Sequence, residues 1–299
     1  MTGLKLTPSD LASCLEGRKE GREWRCRCPV HGGRSLSVTE NTGQLLVTCR
    51  AGCSQDEVIK GLRRLELWGG TDSPIPPPAP EPPNEKEKRI EKAEKIWGES
   101  HPIMPGDPVQ KYFANRGIFL DQYPKDLHTH PALPYWETDD TGKPVKTGTF
   151  PALLAVVRDP QGRPVALHRT YLENGRKAPV NAPKKLMKIF DLAGSSVRLF
   201  PPTSDGLLAV CEGIEDALSA WILWQIPTWA CLGTSGLKGF ESPEGIKELL
   251  IFADRDENQA GEKAAWKLSD RMTMPVRVLT PSGHKDLNAL LMKGAIHAV

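Results

Sequence analysis

The chain of 299 residues has no apolar run near the roughly 18 to 20 residues that a membrane-spanning helix needs. Its opening, Met-Thr-Gly-Leu-Lys-Leu-Thr-Pro, has no apolar core of a secretory signal, so the expected address is the cytoplasm, with no membrane partner. Nor is there a Gly-x-x-x-x-Gly-Lys-Ser/Thr stretch, which excludes a fused motor of the P-loop kind. Net charge is only +2, and this total selects no class of partner. Seven cysteines in a chain this long do not make a disulfide framework. Three of them instead cluster with a histidine, which points to metal in a reducing compartment. The apolar and charged fractions, 39% and 25%, are ordinary and allow two or three units, each with its own core.

Cys28-Pro-Val-His31 and Cys49-Arg-Ala-Gly-Cys53 are separated by two alternating runs, Ser35 to Thr39 and Gln44 to Thr48, with a turn at Asn41-Thr-Gly43. A hairpin there brings the two short-spaced pairs together, as a tetrahedral zinc requires, and makes Cys28, His31, Cys49 and Cys53 the expected ligands. Using Cys26 instead would split the Cys-Pro-x-His unit. Ser54-Gln-Asp-Glu57 reads as a capping box that opens a short helix. Arg25, Arg27, Arg34, Arg50, Arg63 and Arg64 around this module suit either a phosphate backbone or a solvated surface.

From Ser73 to Asn84 the proline-rich run cannot form helix or central strand, so a semi-rigid linker is expected over residues 71–84, after a first domain of residues 1–70. Glu85 to Glu99 has a helical apolar stripe, and Asp107-Pro108 begins a second helix. Ala152 to Arg158 and Val165 to Leu172 read as a hairpin across Asp159-Pro-Gln-Gly162. Ten Lys or Arg face three Asp or Glu between Pro144 and Phe200, against nine to thirteen from Asp205 onward, which sets a cationic surface beside an anionic one. His128, His130, His168 and His297 have no partner at metal spacing and are expected to be core residues, not ligands. His284, beside Lys285, is a candidate phosphate contact or an ordinary loop residue.

Apolar runs at Leu207 to Cys211, Pro227 to Leu232, Leu249 to Ala253 and Val276 to Leu279 alternate with helical stretches at Ile214 to Trp224, Gln259 to Met272 and Leu287 to Met292. This predicts a parallel sheet covered on both faces in residues 205–299, after an α+β basic region in residues 85–204. Acids follow the apolar runs: Glu212 and Asp216, then Asp254 and Asp256, then Asp286. In a parallel sheet the strand ends share one edge, so these acids converge, and their mutual repulsion calls for a divalent cation.

Glu-Gly-x-x-Asp, then Asp-x-Asp, then Lys-Asp, in this order, resemble the Toprim domain of bacterial-type primases, topoisomerases and some nucleases. The Cys-Pro-x-His unit resembles the zinc ribbon at the front of bacterial and phage primases, although its second cysteine pair encloses three residues where the family usually has two. His168-Arg-Thr-Tyr with Lys177, Lys184 and Lys185 resembles the segment before Toprim in primases of phages and mobile elements. The ensemble resembles a bacterial-type DNA primase of the phage, plasmid or mobile-element kind.

That resemblance implies an enzyme, a DNA-directed RNA polymerase making short RNA primers on single-stranded DNA from nucleoside triphosphates. It implies a structural zinc and a catalytic magnesium or manganese held by Glu212, Asp254 and Asp256, with Asp216 and Asp286 completing the acid shell. Arg169, Lys177, Lys185 and Lys285, with the Gly233-Thr234 loop, would hold triphosphate or template, and a separate replicative helicase would act in trans. Two alternatives share these residues: a Toprim nuclease, and a non-catalytic recombination mediator that combines zinc and Toprim folds to bind DNA.

Overall fold

The computed structural model describes residues 6–21, 23–41, 44–51, 53–68, 83–139, 143–257 and 259–294. They fall into two compact units, Met1–Pro80 with Trp136–Gly148, and Glu81–Tyr135 with Thr149–Val299. Most of the proline-rich stretch, the turn at 42–43 and His297 lie outside the described residues.

In the first unit, α1 (Pro8–Cys14) precedes an antiparallel sheet of β1 (Arg18–Glu20), β2 (Glu23–Cys26), β3 (Leu36–Asn41) and β4 (Gln44–Cys49), and α2 (Gln55–Arg64) follows. Both helices start with reciprocal capping boxes, Thr7 with Asp10 and Ser54 with Glu57, which satisfy the free N–H groups of the first turn. Leu11, Leu36, Val38, Val47, Val58 and Leu62 fill a small core, and Cys26, Cys28 and Cys49 border it. The expected hairpin is β3 and β4, paired from Leu36 with Cys49 outward. That register brings Cys49 back beside the loop carrying Cys28 and His31.

The second unit begins with α3 (Pro83–Gly98), so Pro83 and Asn84 open a helix instead of ending the linker. Proline is accepted in a first helical turn because the N–H it lacks would have no intrahelical acceptor there. Next come β5 (His101–Pro102), α4 (Pro108–Ala114), β6 (Leu127–Thr138), β7 (Pro144–Arg158), β8 (Pro164–Glu173), β9 (Arg176–Lys177) and β10 (Lys184–Lys188), of which Trp136–Thr138 and Pro144–Gly148 belong to the first unit. They form a sheet of order β10-β8-β7-β6-β5, with β9 paired to β8. One face of this sheet carries Leu133, Tyr135, Leu154, Leu167 and Tyr171 in a core shared with Ile96 of α3.

The chain closes with β11 (Leu207–Cys211), α5 (Ile214–Trp224), β12 (Thr228–Ala230), α6 (Thr234–Gly239), β13 (Glu248–Phe252), α7 (Ala260–Ser269), β14 (Val276–Leu279) and α8 (Leu287–Met292). The sheet order is β12-β11-β13-β14, parallel throughout. Leu208, Val210, Leu249 and Ile251 pack on one face against Ala264 and Leu268 of α7. Ala209, Cys211, Leu250 and Phe252 pack on the other against α5 and α8, in a core that continues into Tyr112, Phe113, Leu153 and Leu172. The expected line between residues 204 and 205 therefore crosses a continuous apolar core, in which α4 also packs against β7 and β8.

Candidate functional site

Cys28, His31, Cys49 and Cys53 bring one ligand atom each to within 4.8 Å of one another. Cys28 Sγ and Cys53 Sγ are 3.9 Å apart. Two thiolates at about 2.3 Å from a tetrahedral zinc stand about 3.8 Å from each other, so the spacing fits that ion. Backbone N–H groups of Val30 and His31 point at the Cys28 sulfur, and those of Ala51 and Cys53 at Cys49. The extra residue in the second pair thus still lets its loop turn N–H groups onto the thiolate. Burial pushes the Cys49 thiol up, yet Ser35, these N–H groups and His31 outweigh it and bring the value to about 6. Cys53 is pushed to about 12 by burial and by Cys28 and Cys49, a repulsion that a cation would relieve. Ser35, 2.9 Å from His31 Nε2 and 3.3 Å from Cys49 Sγ, is a supporting residue that ligand spacing alone does not show.

In the second unit a cavity of about 540 Å³ opens at the carboxyl ends of β11, β12 and β13. Glu212, Asp216, Asp254 and Asp286 line it. Glu212 is raised to about 7 by burial, then by Asp256 and Asp216. Asp254 reaches about 7 through burial, then Glu212, Asp286 and Asp256, with Lys285 opposing. Asp216 also reaches about 7, driven by burial and by Asp254 and Asp286, although the Asn288 N–H donates to it at 3.0 Å. Burial is the larger cause of each shift, and the repulsion of like charges adds to it.

Glu212 Oε1 is buried with no hydrogen-bond partner. A Cβ at Gly261 would stand 2.6 Å from the Asp254 carbonyl oxygen and 2.9 Å from Glu212 Oε1, so only glycine lets α7 approach this closely. Among the described residues, only the Cys/His cluster draws three or more ligand atoms within 4.8 Å, so the carboxylates are spaced more widely. That spacing and the all-oxygen donor set fit a hard divalent cation that keeps part of its water shell.

The cavity wall is also cationic. Arg116, Lys177, Lys184 and Lys185 line it, and His168 is among the lining residues. Strand alternation decides which residues of β8 and β10 face the acids. His168 pairs with Ala155 and Leu186, on the side of the shared core, whereas Arg169 pairs with Leu154 and Lys185, on the side covered by α3. His168 is buried and held near 4 by burial, then Lys184, so it stays neutral. Lys185 sends its Nζ over the Tyr135 ring at 3.9 Å while still bordering the cavity.

Residues 207–296 match the family described as a Toprim domain. The C-terminal part of this chain is a Toprim domain. Residues 87–199, immediately before the Toprim match, match a domain of unknown function, DUF7146. No curated protein matches the chain. Among solved structures, a DNA primase domain from Pseudomonas aeruginosa is similar at 19% identity over 70% of this chain and 74% of that one, with a TM-score of 0.47. The zinc-binding and RNA polymerase domains of Aquifex aeolicus primase are similar at 15% identity over 97% and 81%, with a TM-score of 0.47. The primase fragment of the bacteriophage T7 primase-helicase protein is similar at 17% identity over 66% and 73%, with a TM-score of 0.41.

The Toprim cavity gathers Glu212, Asp216, Asp254, Asp286, Lys177, Lys185, Gly233 and Lys285 from the residues singled out in the sequence. Asp256 is off its wall but close enough to raise Glu212 and Asp254. Asp286 has a second task, since its Oδ1 accepts the Ala289 N–H at 2.7 Å and caps α8. Thr234 begins α6, and Arg169 is absent from the wall. Arg116, Glu215 and Asn288 are wall residues that the sequence did not single out, and His168 and Lys184, named there as part of the basic segment, were not assigned to the site. Glu215 had one legible signal, as a charge inside an apolar helix of the Toprim sheet that cannot turn every polar residue to water.

Proposed function

We propose that the chain is a DNA primase that makes short RNA primers on single-stranded DNA from nucleoside triphosphates, in the cytoplasm. The observation that carries this reading is the Toprim cavity itself, where an acid shell and several lysines line one space of about 540 Å³. A transferring phosphoryl group needs cationic contacts on its non-reacting oxygens and carboxylates to hold the ion that activates it. Lys177 and Lys184 bind the triphosphate in this reading, and the Asn288 N–H fixes the orientation of Asp216. Glu212, whose Oε1 is buried without a hydrogen-bond partner, would hold the ion or accept the proton of the attacking 3′-hydroxyl. A magnesium or manganese ion held by Glu212, Asp254 and Asp256 would supply Lewis-acid charge at the phosphoryl group. The zinc module would sample template sequence, and a separate helicase would supply the single strand.

The deciding experiment incubates single-stranded template with labelled nucleoside triphosphates and magnesium and resolves the products on a gel. Labelled oligoribonucleotides are expected. Template cutting without them would instead make the chain a nuclease, and a shifted but unaltered template a binder.

The two faces of β8 and β10 give a sharper expectation. Replacing Lys177 and Lys184 together with Ala should weaken binding to single-stranded DNA or triphosphate, and lower the slope of log affinity against log salt by about 0.7 per lysine for DNA. Arg169→Ala should leave that slope unchanged, because Arg169 faces away from the acids. Equal slopes for wild type and the double variant across a salt series would remove the lysines from the binding site.

A further inference from the structure

Glu215 lies in the first turn of α5 and is only 5% exposed. Its Oε1 accepts the Tyr112 hydroxyl at 2.6 Å, and the Lys184 Nζ stands 3.4 Å and the Lys177 Nζ 4.0 Å from the same oxygen. One buried carboxylate therefore serves two ammonium groups that arrive from different strands, β9 and β10.

We propose that Glu215 is a positioning residue that holds Lys177 and Lys184 as a fixed pair on the cavity wall, where together they receive the phosphates of the substrate. The identity of that substrate as a nucleoside triphosphate rests on the primase reading above. Two ammonium groups side by side repel and, on long flexible stems, swing to water unless an anion sits behind them. Glu215 is that anion, and Tyr112 fixes its rotamer. The two lysines outnumber it, so the group keeps one surplus positive charge, and both side chains remain partly open to the cavity. Glu215 also adjoins Asp216 on one helical turn. The same turn thus sets the distance between the phosphate-binding wall and the acid shell.

The charges around the lysines agree with this role. Glu215 is held near 2 against strong burial, by Lys184, Tyr112 and Lys177. Lys177 is pushed below the usual lysine value by burial first and then by Lys184, while Glu215 pulls the other way. Removing the Glu215 charge leaves Lys177 against burial, Lys184 and Arg116, with neutral Tyr112 and His168 offering no compensation, so it loses its proton at a lower pH.

The test measures binding of inorganic triphosphate to the full chain in chelator, from pH 6 to 10, for wild type, Glu215→Gln and Tyr112→Phe. Glu215→Gln keeps the shape and an acceptor for Tyr112. Its affinity at pH 7.5 is expected to fall about tenfold, and the alkaline limb of its pH profile to move down by about one unit. A purely structural role would lower the melting temperature without moving that limb. Tyr112→Phe should show a smaller loss, about threefold, in the same direction, and it decides the matter alone if Glu215→Gln does not fold. Unchanged or tighter binding with an unmoved limb overturns the proposal, as does a wild type that binds no triphosphate. A wild type that binds triphosphate, loses it in Glu215→Gln and yet makes no primers would refute the primase reading and leave the positioning role standing.

Discussion

Asp254→Asn is expected to reduce primer synthesis by roughly three orders of magnitude or more while leaving the circular dichroism spectrum intact. Asp254 follows β13 at the centre of the acid shell, where Glu212, Asp286 and Asp256 all raise its proton affinity. Asparagine has nearly the same shape but removes the charge that would hold a divalent ion. Asp256→Asn, placed off the cavity wall, should also abolish synthesis if it shares that ion, and the two losses should not add. Wild-type rates from Asp254→Asn in excess magnesium, with the fold intact, would be incompatible with the proposed chemistry.

The same substitution has an opposite expected effect on stability, and the sign follows from proton linkage. Glu212, Asp216 and Asp254 are each raised from the ordinary carboxylate value to about 7. Between about pH 4 and pH 7 the folded chain therefore binds more protons at these sites than the unfolded chain. Their contribution to stability falls as pH rises through that window. Asp254→Asn removes one member of the repelling set, so in chelator at pH 8 its melting temperature should exceed that of wild type by a few degrees. At pH 4 the gap should close. Wild type should recover the difference on addition of magnesium and the variant should not, which melting curves at the two pH values with and without the ion would show. A variant melting below wild type at pH 8 in chelator would mean that the acids are not held in mutual repulsion.

How far the sequence carried the site depends on the kind of signal each residue leaves. The Toprim strands and α5 were legible because both faces of the parallel sheet are buried, which leaves unbroken apolar runs ending at acids. Those acids were legible as a group because strand ends share an edge. Asp286 was read as an acid of the shell, although its place just before the expected helix at Leu287 also makes it the cap of α8. The basic wall was legible only as charge asymmetry. Charge counts do not say which side of a strand a lysine takes, and a shift of one residue separates Lys184, facing the acids, from Lys185, over Tyr135. Strand β10 has no apolar alternation to reveal it, since its Lys-Lys-Leu-Met-Lys run is polar at both ends. Glu215 and Tyr112 meet across 103 positions of sequence, and no local pattern records such a contact.

Changing Cys49 and Cys53 together to Ser is expected to remove zinc entirely and to unfold the segment from residue 6 to residue 68, while the unit containing the Toprim domain stays folded. The core of that segment rests on a handful of aliphatic side chains such as Leu11, Leu36, Val38, Val47 and Leu62. A core of that size seldom sustains so short a segment, whereas a structural zinc adds on the order of 10 kcal/mol of binding free energy to the folded state. Losing two thiolates leaves Cys28 and His31, too few to hold the ion. Cys26 offers the control, because it is fully buried beside Gly17 and Ala12 and stands outside the ligand group. Cys26→Ala should keep one zinc per chain. Metal analysis of protein purified without chelator measures the zinc, and hydrogen exchange locates the unfolding: amides of β3 and β4 should lose protection in the double variant, while those of β11 and β13 keep it. Full zinc retention by the double variant, or loss of zinc from Cys26→Ala, would transfer the coordination to a different set of thiols.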